Sequence, residues 1–101
     1  MVRHIVMFAL DGFPTPGDKQ RHLLRIKTSL EMLPSQIERL NKLKVYLNIN
    51  EKEEYDFVLE AELNCMDCVK AYQEDPLHQR IINDFVKPYL KKRACVDYVI
   101  D

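Results

Sequence analysis

The sequence lacks an excess of charge of either sign. Its 101 residues include 15 basic and 16 acidic side chains, and no block of like charges interrupts the chain. Binding to nucleic acid through phosphates needs a concentrated basic face. The one basic run, Lys91-Lys92-Arg93, is predicted to be a solvated turn before a strand. We therefore expect no nucleic-acid partner.

Long apolar runs are also missing, so no segment is predicted to cross a membrane. Strand-like sequence begins at Val2 with no small-residue cleavage site behind it, and we expect no signal peptide. Cysteine is scarce, with three residues in the chain. An odd number without secretory context favours reduced thiols in a cytoplasmic protein.

Repeats, linkers and low-complexity segments are absent too, and a chain of this length with 47% apolar residues predicts a single domain, residues 1–101. Residues 2–10, 43–50, 55–63 and 94–100 alternate with the period of a strand. Apolar residues recur at helical spacing after the first and third of these segments. This order predicts a ferredoxin-like α+β fold, an antiparallel sheet with helices on one face.

A corner between two helices is a strong local signal. Asp75 is predicted to cap a helix that starts at Pro76, and Asn64 to cap the helix before it. Proline restrains both its own backbone and the preceding residue, so the corner is expected to be stiff. Tyr72 closes the first helix and His78 lies in the first turn of the second. A stiff corner can hold this phenol and imidazole at a fixed offset.

The strand phases predict which side of the sheet meets the helices. The more apolar phases, Val2 to Leu10, Tyr55 to Leu63 and Ala94 to Ile100, should face them. The other side then keeps a second apolar set among charges: Ile5, Met7, Tyr46, Val58, Cys95 and Val99. Such a face usually meets a partner, and a second copy across a two-fold axis is the simplest. We expect a homodimer through the helix-free sheet face.

Several segments, in this order, resemble the stress-responsive A/B barrel (Dabb) family over essentially the full chain. They are the opening Val-Arg-His-Ile-Val, the strand Tyr55-Asp56-Phe57-Val58-Leu59, the corner from Ala71 to His78 and the terminal Val96-Asp97-Tyr98. The resemblance implies a ferredoxin-like fold whose sheets pair into a dimeric α/β barrel. Most members have no assigned reaction, so it does not by itself imply an activity.

The resemblance extends to the polar residues of a plant polyketide cyclase in this family, and these correspond to His4, Tyr72 and His78. It implies that they enolise and fold a linear polyketide thioester for an aldol closure, without a cofactor. Chemically, a helix N-terminus disfavours the imidazolium, which suits His78 to act as a neutral base. Tyr72 would donate to an enolate oxygen. The apolar pocket residues differ, so the substrate does not carry over.

Three functions remain open. The chain binds a small organic ligand near Tyr72 and His78, or it is a cyclase or isomerase that uses these residues and His4, or it is a structural, stress-associated dimer without a ligand. In the structural interpretation, the Tyr72 hydroxyl meets the corner and His78 rigidifies it.

The segment Cys65-Met66-Asp67-Cys68 has the spacing of a redox motif. A thioredoxin architecture is absent, Asp67 opposes a thiolate, and the cysteines lie on an apolar helix face, so a redox role is disfavoured. Adding Cys95 and scattered histidines falls short of a tetrahedral zinc site. We therefore expect no metal and no cofactor.

Overall fold

A computed structural model describes residues 1–100 of the chain, and these residues form a four-stranded antiparallel sheet with helices packed on one side. The predicted ferredoxin-like α+β fold is confirmed. The elements are β1 (Val2–Leu10), α1 (Pro16–Glu31), β2 (Leu40–Leu47), β3 (Phe57–Leu63), α2 (Met66–Glu74), α3 (Pro76–Ile81) and β4 (Leu90–Val99). A π-helical segment (Ile82–Val86) and a 3-10 turn (Lys87–Tyr89) join α3 to β4, and another 3-10 turn (Leu33–Ser35) follows α1. Within residues 1–100, no helix has the length and apolarity to span a bilayer.

Two helices begin at side-chain caps, and the cap at Asp75 is the one predicted from the sequence. The Thr15 hydroxyl accepts a hydrogen bond from the Asp18 N–H at 3.1 Å, and α1 begins immediately after it. At the corner, the Asp75 carboxylate accepts from the Leu77 N–H at 2.9 Å, with Pro76 as the first residue of α3. Each side chain satisfies a donor that the helix itself leaves unpaired. The stiff corner between α2 and α3 is therefore built from local sequence.

The start of α2 differs from the prediction in two ways. Cys65, and not Asn64, is the N-cap, because its sulfur accepts from the Cys68 N–H at 3.2 Å. The Asn64 side chain is engaged elsewhere and accepts from Asn41 at 2.7 Å. Cys65 and Cys68 also form a disulfide, so the expectation of three reduced thiols is wrong for this pair. Cys95 carries a free thiol, as expected.

The sheet has the strand order β2-β3-β1-β4, with β1 in the interior. This position fits the apolar character of both faces of β1. The helix-facing side chains of β1, β2 and β3 pack against those of α1 and α2 in one core. Its largest members with almost no exposure are Tyr72, Phe57, Leu10, Ile26, Leu30, Leu59, Leu63, Val45 and Val86.

The predicted phase of β4 is wrong. His4 pairs with Asp97 and Ile5 pairs with Val96, and residues directly opposite in an antiparallel pair share one face. The helix side of β4 therefore carries Arg93, Cys95, Asp97 and Val99, and the helix-free side carries Ala94, Val96 and Tyr98. The sequence misled because β4 is an edge strand whose two phases are both partly apolar and both largely exposed.

The helix-free face is apolar, as expected, but β4 contributes different residues to it. Large side chains are exposed on it: Met7 38%, Tyr46 52%, Val96 55% and Tyr98 42%. An ion pair between Arg3 and Glu62 lies beside them. Cys95 and Val99, which were expected here, lie on the opposite side.

Candidate functional site

The three candidate residues line one cavity of about 140 Å³ on the helix side of the sheet. His4 comes from β1, Tyr72 from the last turns of α2, and His78 from the first turn of α3. The Tyr72 ring centroid lies 4.4 Å from that of His78 and 6.1 Å from that of His4. The walls are otherwise mainly apolar, from Val6, Phe8, Leu59, Ile82, Val86 and Leu90. A cavity of this size holds a molecule such as benzene.

The Tyr72 phenol is buried, with 1% of the residue exposed. Its hydroxyl has no hydrogen-bond partner among residues 1–100. Burial raises its pKa well above the usual range, because the phenolate would lose its hydration. Tyr72 is therefore a neutral donor without a partner in the described part of the protein. The hydroxyl therefore makes no hydrogen bond to the corner, contrary to that part of the structural interpretation.

His78 is tied to the corner and stays neutral. Its Nδ1 lies 3.2 Å from the Gln73 carbonyl oxygen, and because a carbonyl only accepts, Nδ1 carries the hydrogen. This tautomer leaves the Nε2 lone pair available as a base. Burial lowers the pKa of His78, and the nearby His4 adds to that effect. The Gln79 side chain also donates to the Gln73 carbonyl, at 2.6 Å, so the corner does not depend on His78 alone.

His4 is a buried histidine with an acidic partner. Its residue exposure is 2%, and its Nδ1 lies 2.5 Å from an Asp97 oxygen. The Cys95 sulfur lies 3.7 Å from the same nitrogen, and burial together with Asp97 raises the pKa of this thiol. Donor atoms of His4, Cys95 and Asp97 lie within 4.8 Å of one another, a nitrogen–sulfur–oxygen set that metals accept. In this arrangement His4 Nδ1 faces the carboxylate.

Three charged residues at the site were missed from the sequence. Asp97 contacts His4, and Arg93 and Lys87 line the cavity. The signal for Asp97 was an acid set between apolar residues in a strand that ends opposite the start of β1. Pairing Val2–Leu10 antiparallel with the last strand in the correct register would have placed it beside His4 and Arg93 beside Phe8.

The π-helical segment shapes one wall of the cavity through Ile82 and Val86. The Phe85 carbonyl within it lies 2.6 Å from His22 Nε2, which must carry the hydrogen for this bond. His22 therefore ties α1 to the segment from outside the cavity. Segments of π-helix occur often at functional sites, because the wider turn redirects side chains.

A second, larger cavity of about 470 Å³ lies at the β2–β3 end of the sheet. Met7, Tyr46 and Val58 of the helix-free face contribute to its lining, together with Leu47, Asn48, Glu53, Tyr55 and Phe57. Glu53 is the sole lining residue with a carboxylate, and no histidine or cysteine joins it among the described residues. This groove offers apolar surface but not the acid–base set found around Tyr72.

The fold and the cavity together define a ferredoxin-like α+β protein with a small chamber that holds a phenol, two imidazoles and two cationic side chains. The sequence model of the stress responsive A/B barrel domain, Dabb, matches residues 2–100. The chain belongs to this family, and the resemblance drawn from its motifs is confirmed.

The chain is also similar to one curated protein and to solved structures with a ferredoxin-like fold. An uncharacterized protein of Streptomyces coelicolor is 33% identical over 81 residues, covering 78% of this chain and 80% of its own length. A dimeric protein of unknown function with a ferredoxin-like fold from Bacteroides fragilis is 32% identical, with a TM-score of 0.89 over 98% of this chain and 95% of that one. A dimeric ferredoxin-like protein of unknown function from Thermobifida fusca is 27% identical, with a TM-score of 0.80 over 98% and 90%.

Proposed function

We propose that the chain binds a small anionic carbonyl compound, such as a β-keto acid, in the cavity beside Tyr72 and His78. The observation that carries the proposal is the buried Tyr72 hydroxyl, which no group in residues 1–100 satisfies. A buried donor without a partner costs on the order of 1–3 kcal/mol. A ligand oxygen that accepts this hydrogen bond would recover that free energy, which gives the cavity a preference for carbonyl and enol groups.

The charged lining supports the anionic part of the ligand. Arg93 and Lys87 are the cationic side chains around the cavity, and guanidinium binds a carboxylate with two parallel hydrogen bonds. The apolar wall accepts a short hydrocarbon portion. The cavity volume limits the enclosed part to about the size of a benzene ring, so a longer chain would extend toward the exposed edge at β4.

A second candidate function is enolisation of that ligand, as in a cofactor-independent cyclase or isomerase. The neutral Nε2 of His78 favours it, because an unprotonated imidazole can take a proton from the carbon between two carbonyl groups. Tyr72 would donate to the enolate oxygen that forms, and His4, oriented by Asp97, would relay a proton. The resulting carbon nucleophile either closes on another carbonyl or is reprotonated.

Calorimetric titration with short β-keto acids and their thioesters tests the proposal. We expect binding to the wild type, about tenfold weaker binding to Tyr72→Phe, and unchanged binding to Tyr98→Phe, a matched control outside the cavity. Loss of the α-proton to deuterated water, followed by NMR, separates enolisation from binding. If no compound binds and none raises the melting temperature, the structural dimer without a ligand becomes the better account.

We also propose that the chain forms a homodimer through the helix-free face of the sheet. The exposed Met7, Tyr46, Val96 and Tyr98 form an apolar surface that no helix of residues 1–100 covers. Two proteins similar to this one, from Bacteroides fragilis and Thermobifida fusca, are described as dimeric. Surfaces of this kind on small proteins usually meet a partner, and two identical faces related by a two-fold axis are self-complementary.

The outer edge of β2 supports pairing through the face instead of through that edge. Lys27 of α1 donates to the Val45 carbonyl at 2.6 Å, and Glu31 accepts from the Val45 N–H at 2.9 Å. These side chains hydrogen-bond to backbone groups with which an incoming strand would otherwise pair. The edge is therefore blocked at its centre, while the apolar face remains open.

A further inference from the structure

The disulfide at the start of α2 is separate from the cavity chemistry. Cys65 and Cys68 are three positions apart, and their bond closes within a single helical turn. Cys68 is buried, with 4% exposed, whereas Cys65 is half-buried beside the exposed Met66. One cysteine of the pair is thus partly exposed to solvent and the other is not.

This cross-link contributes little to holding the fold together. Disulfides stabilise more as the loop that they close becomes longer, and this loop is very short. It joins no distant elements, since β3 already leads directly into α2. The cap also survives reduction, because a free Cys65 sulfur can still accept from the Cys68 N–H, now 3.2 Å away. The oxidised and reduced chains should therefore share one fold.

We propose that Cys65 and Cys68 form a thiol–disulfide exchange site for small thiols. A thiolate attacks the Cys65 sulfur, the bond to Cys68 breaks, and the electron pair leaves on the Cys68 sulfur, which takes up a proton. A second thiolate then attacks the small molecule's sulfur in the mixed disulfide and releases Cys65. In total, two small thiols lose two electrons and become a disulfide, while both cysteines gain electrons and protons.

The surroundings of Cys65 suit a small thiol of modest charge. The neighbouring Asn64 is neutral and accepts a hydrogen bond from the Asn41 side chain. The first turn of α2 holds a single acid, Asp67. The sequence led us to disfavour a redox role for three reasons, namely the absent thioredoxin architecture, the opposing Asp67 and the apolar face that the cysteines share. The structure separates them, since only Cys68 is fully buried on that face.

Equilibration of the folded protein with reduced and oxidised glutathione at graded ratios tests the proposal. Samples are quenched with acid, alkylated under denaturing conditions and weighed by intact mass spectrometry. We expect a reversible change from one to three alkyl groups per chain, Cys95 being labelled throughout, with circular dichroism unchanged. Reduction that requires urea, or three labels even with oxidised glutathione in excess, would overturn the proposal.

Trapping the intermediate identifies the attacked sulfur. In a Cys95→Ser background treated with oxidised glutathione, Cys68→Ala should accumulate a glutathione adduct on Cys65 with release of reduced glutathione, because the resolving thiol is gone and alanine fits the apolar site. The matched Cys65→Ala variant should form at least tenfold less adduct, because Cys68 is buried. Equal adducts on both variants, or none on either while both remain folded, would contradict the assignment.

Discussion

His4 and Asp97 face each other across the β1–β4 pair, with 2.5 Å between His4 Nδ1 and an Asp97 oxygen. A carboxylate accepts and does not donate when ionised, so Nδ1 carries the hydrogen of this bond. The acid thereby orients a buried imidazole whose ring lies edge-on to Tyr72. It is a positioning residue for the candidate site, because it acts through His4.

Asp97→Asn should change the state of His4 without unfolding the chain. The amide keeps the shape of the side chain but loses the charge, and its nitrogen can donate to Nδ1 and reverse the tautomer. We expect a loss of about 1.5–3 kcal/mol in the free energy of unfolding, typical of a charge-assisted hydrogen bond. Imidazole ¹⁵N shifts report the tautomer directly. Unchanged His4 shifts in the variant would show that Asp97 does not set it.

The sequence predicted those parts of the fold that short-range chemistry determines. The order of strands and helices and the Asp75–Pro76 corner follow from residue types at fixed spacing. The corner also brought Tyr72 and His78 together, because the offset between two helices joined by one capped proline is rigid.

The same reasoning failed where burial does not alternate. Both phases of β4 are partly apolar and largely exposed, so nothing in its pattern distinguishes one side from the other. A strand assigned to the wrong phase moves every side chain to the opposite face. That single error hid Asp97 and Arg93 from the site and placed Cys95 and Val99 on the wrong side. The pairing of β4 with β1 decides which face each β4 side chain occupies, and this pairing joins residues far apart in the sequence.

Tyr72→Phe should leave the protein as stable as the wild type at neutral pH, or more stable by about 1 kcal/mol. The change removes a buried hydroxyl that lacks a partner in residues 1–100, and the ring remains in the core. A clear loss of stability, measured by urea denaturation, would indicate that the hydroxyl has a partner after all.

Tyr72→Phe should also differ from the wild type in how its stability depends on alkaline pH. The pKa of Tyr72 is raised in the folded state, whereas in the unfolded chain the phenol ionises near its ordinary value of 10.0. The unfolded state therefore releases a proton first, and wild-type stability falls as the pH rises past that value. At one pH unit above it, this cost is about 1.4 kcal/mol and is absent in Tyr72→Phe. Parallel slopes for both proteins between neutral pH and pH ~11 would count against a buried phenol.

His78→Gln should alter the acid side of the stability profile. Burial lowers the pKa of His78 from its ordinary 6.5, so on acidification the unfolded chain binds a proton before the folded one does. Wild-type stability should therefore decline below that value until the folded imidazole also titrates, and glutamine removes this decline. The Gln79 contact to Gln73 keeps the corner intact in the variant. His22→Gln provides a comparison at a histidine outside the cavity.

The outcome for His78 also separates the structural interpretation from the functional one. If the imidazole mainly rigidifies the corner, His78→Gln lowers the melting temperature at neutral pH and no ligand responds. If it serves the cavity, stability at neutral pH is nearly unchanged, and the affinity for β-keto acids weakens.

Val96→Lys should weaken self-association far more than it weakens the subunit. Val96 is 55% exposed on the helix-free face, so lysine costs little in an isolated chain, but a two-fold interface would bury two unpaired ammonium groups. We expect the dimer dissociation constant to rise by about a hundredfold, which corresponds to about 2.8 kcal/mol. Sedimentation equilibrium measures it. Leu24→Lys is the matched control, because Leu24 is a similarly exposed apolar residue on α1, in the helix layer. A monomeric wild type at micromolar concentration, or equal effects of the two substitutions, would rule out the helix-free face as the interface.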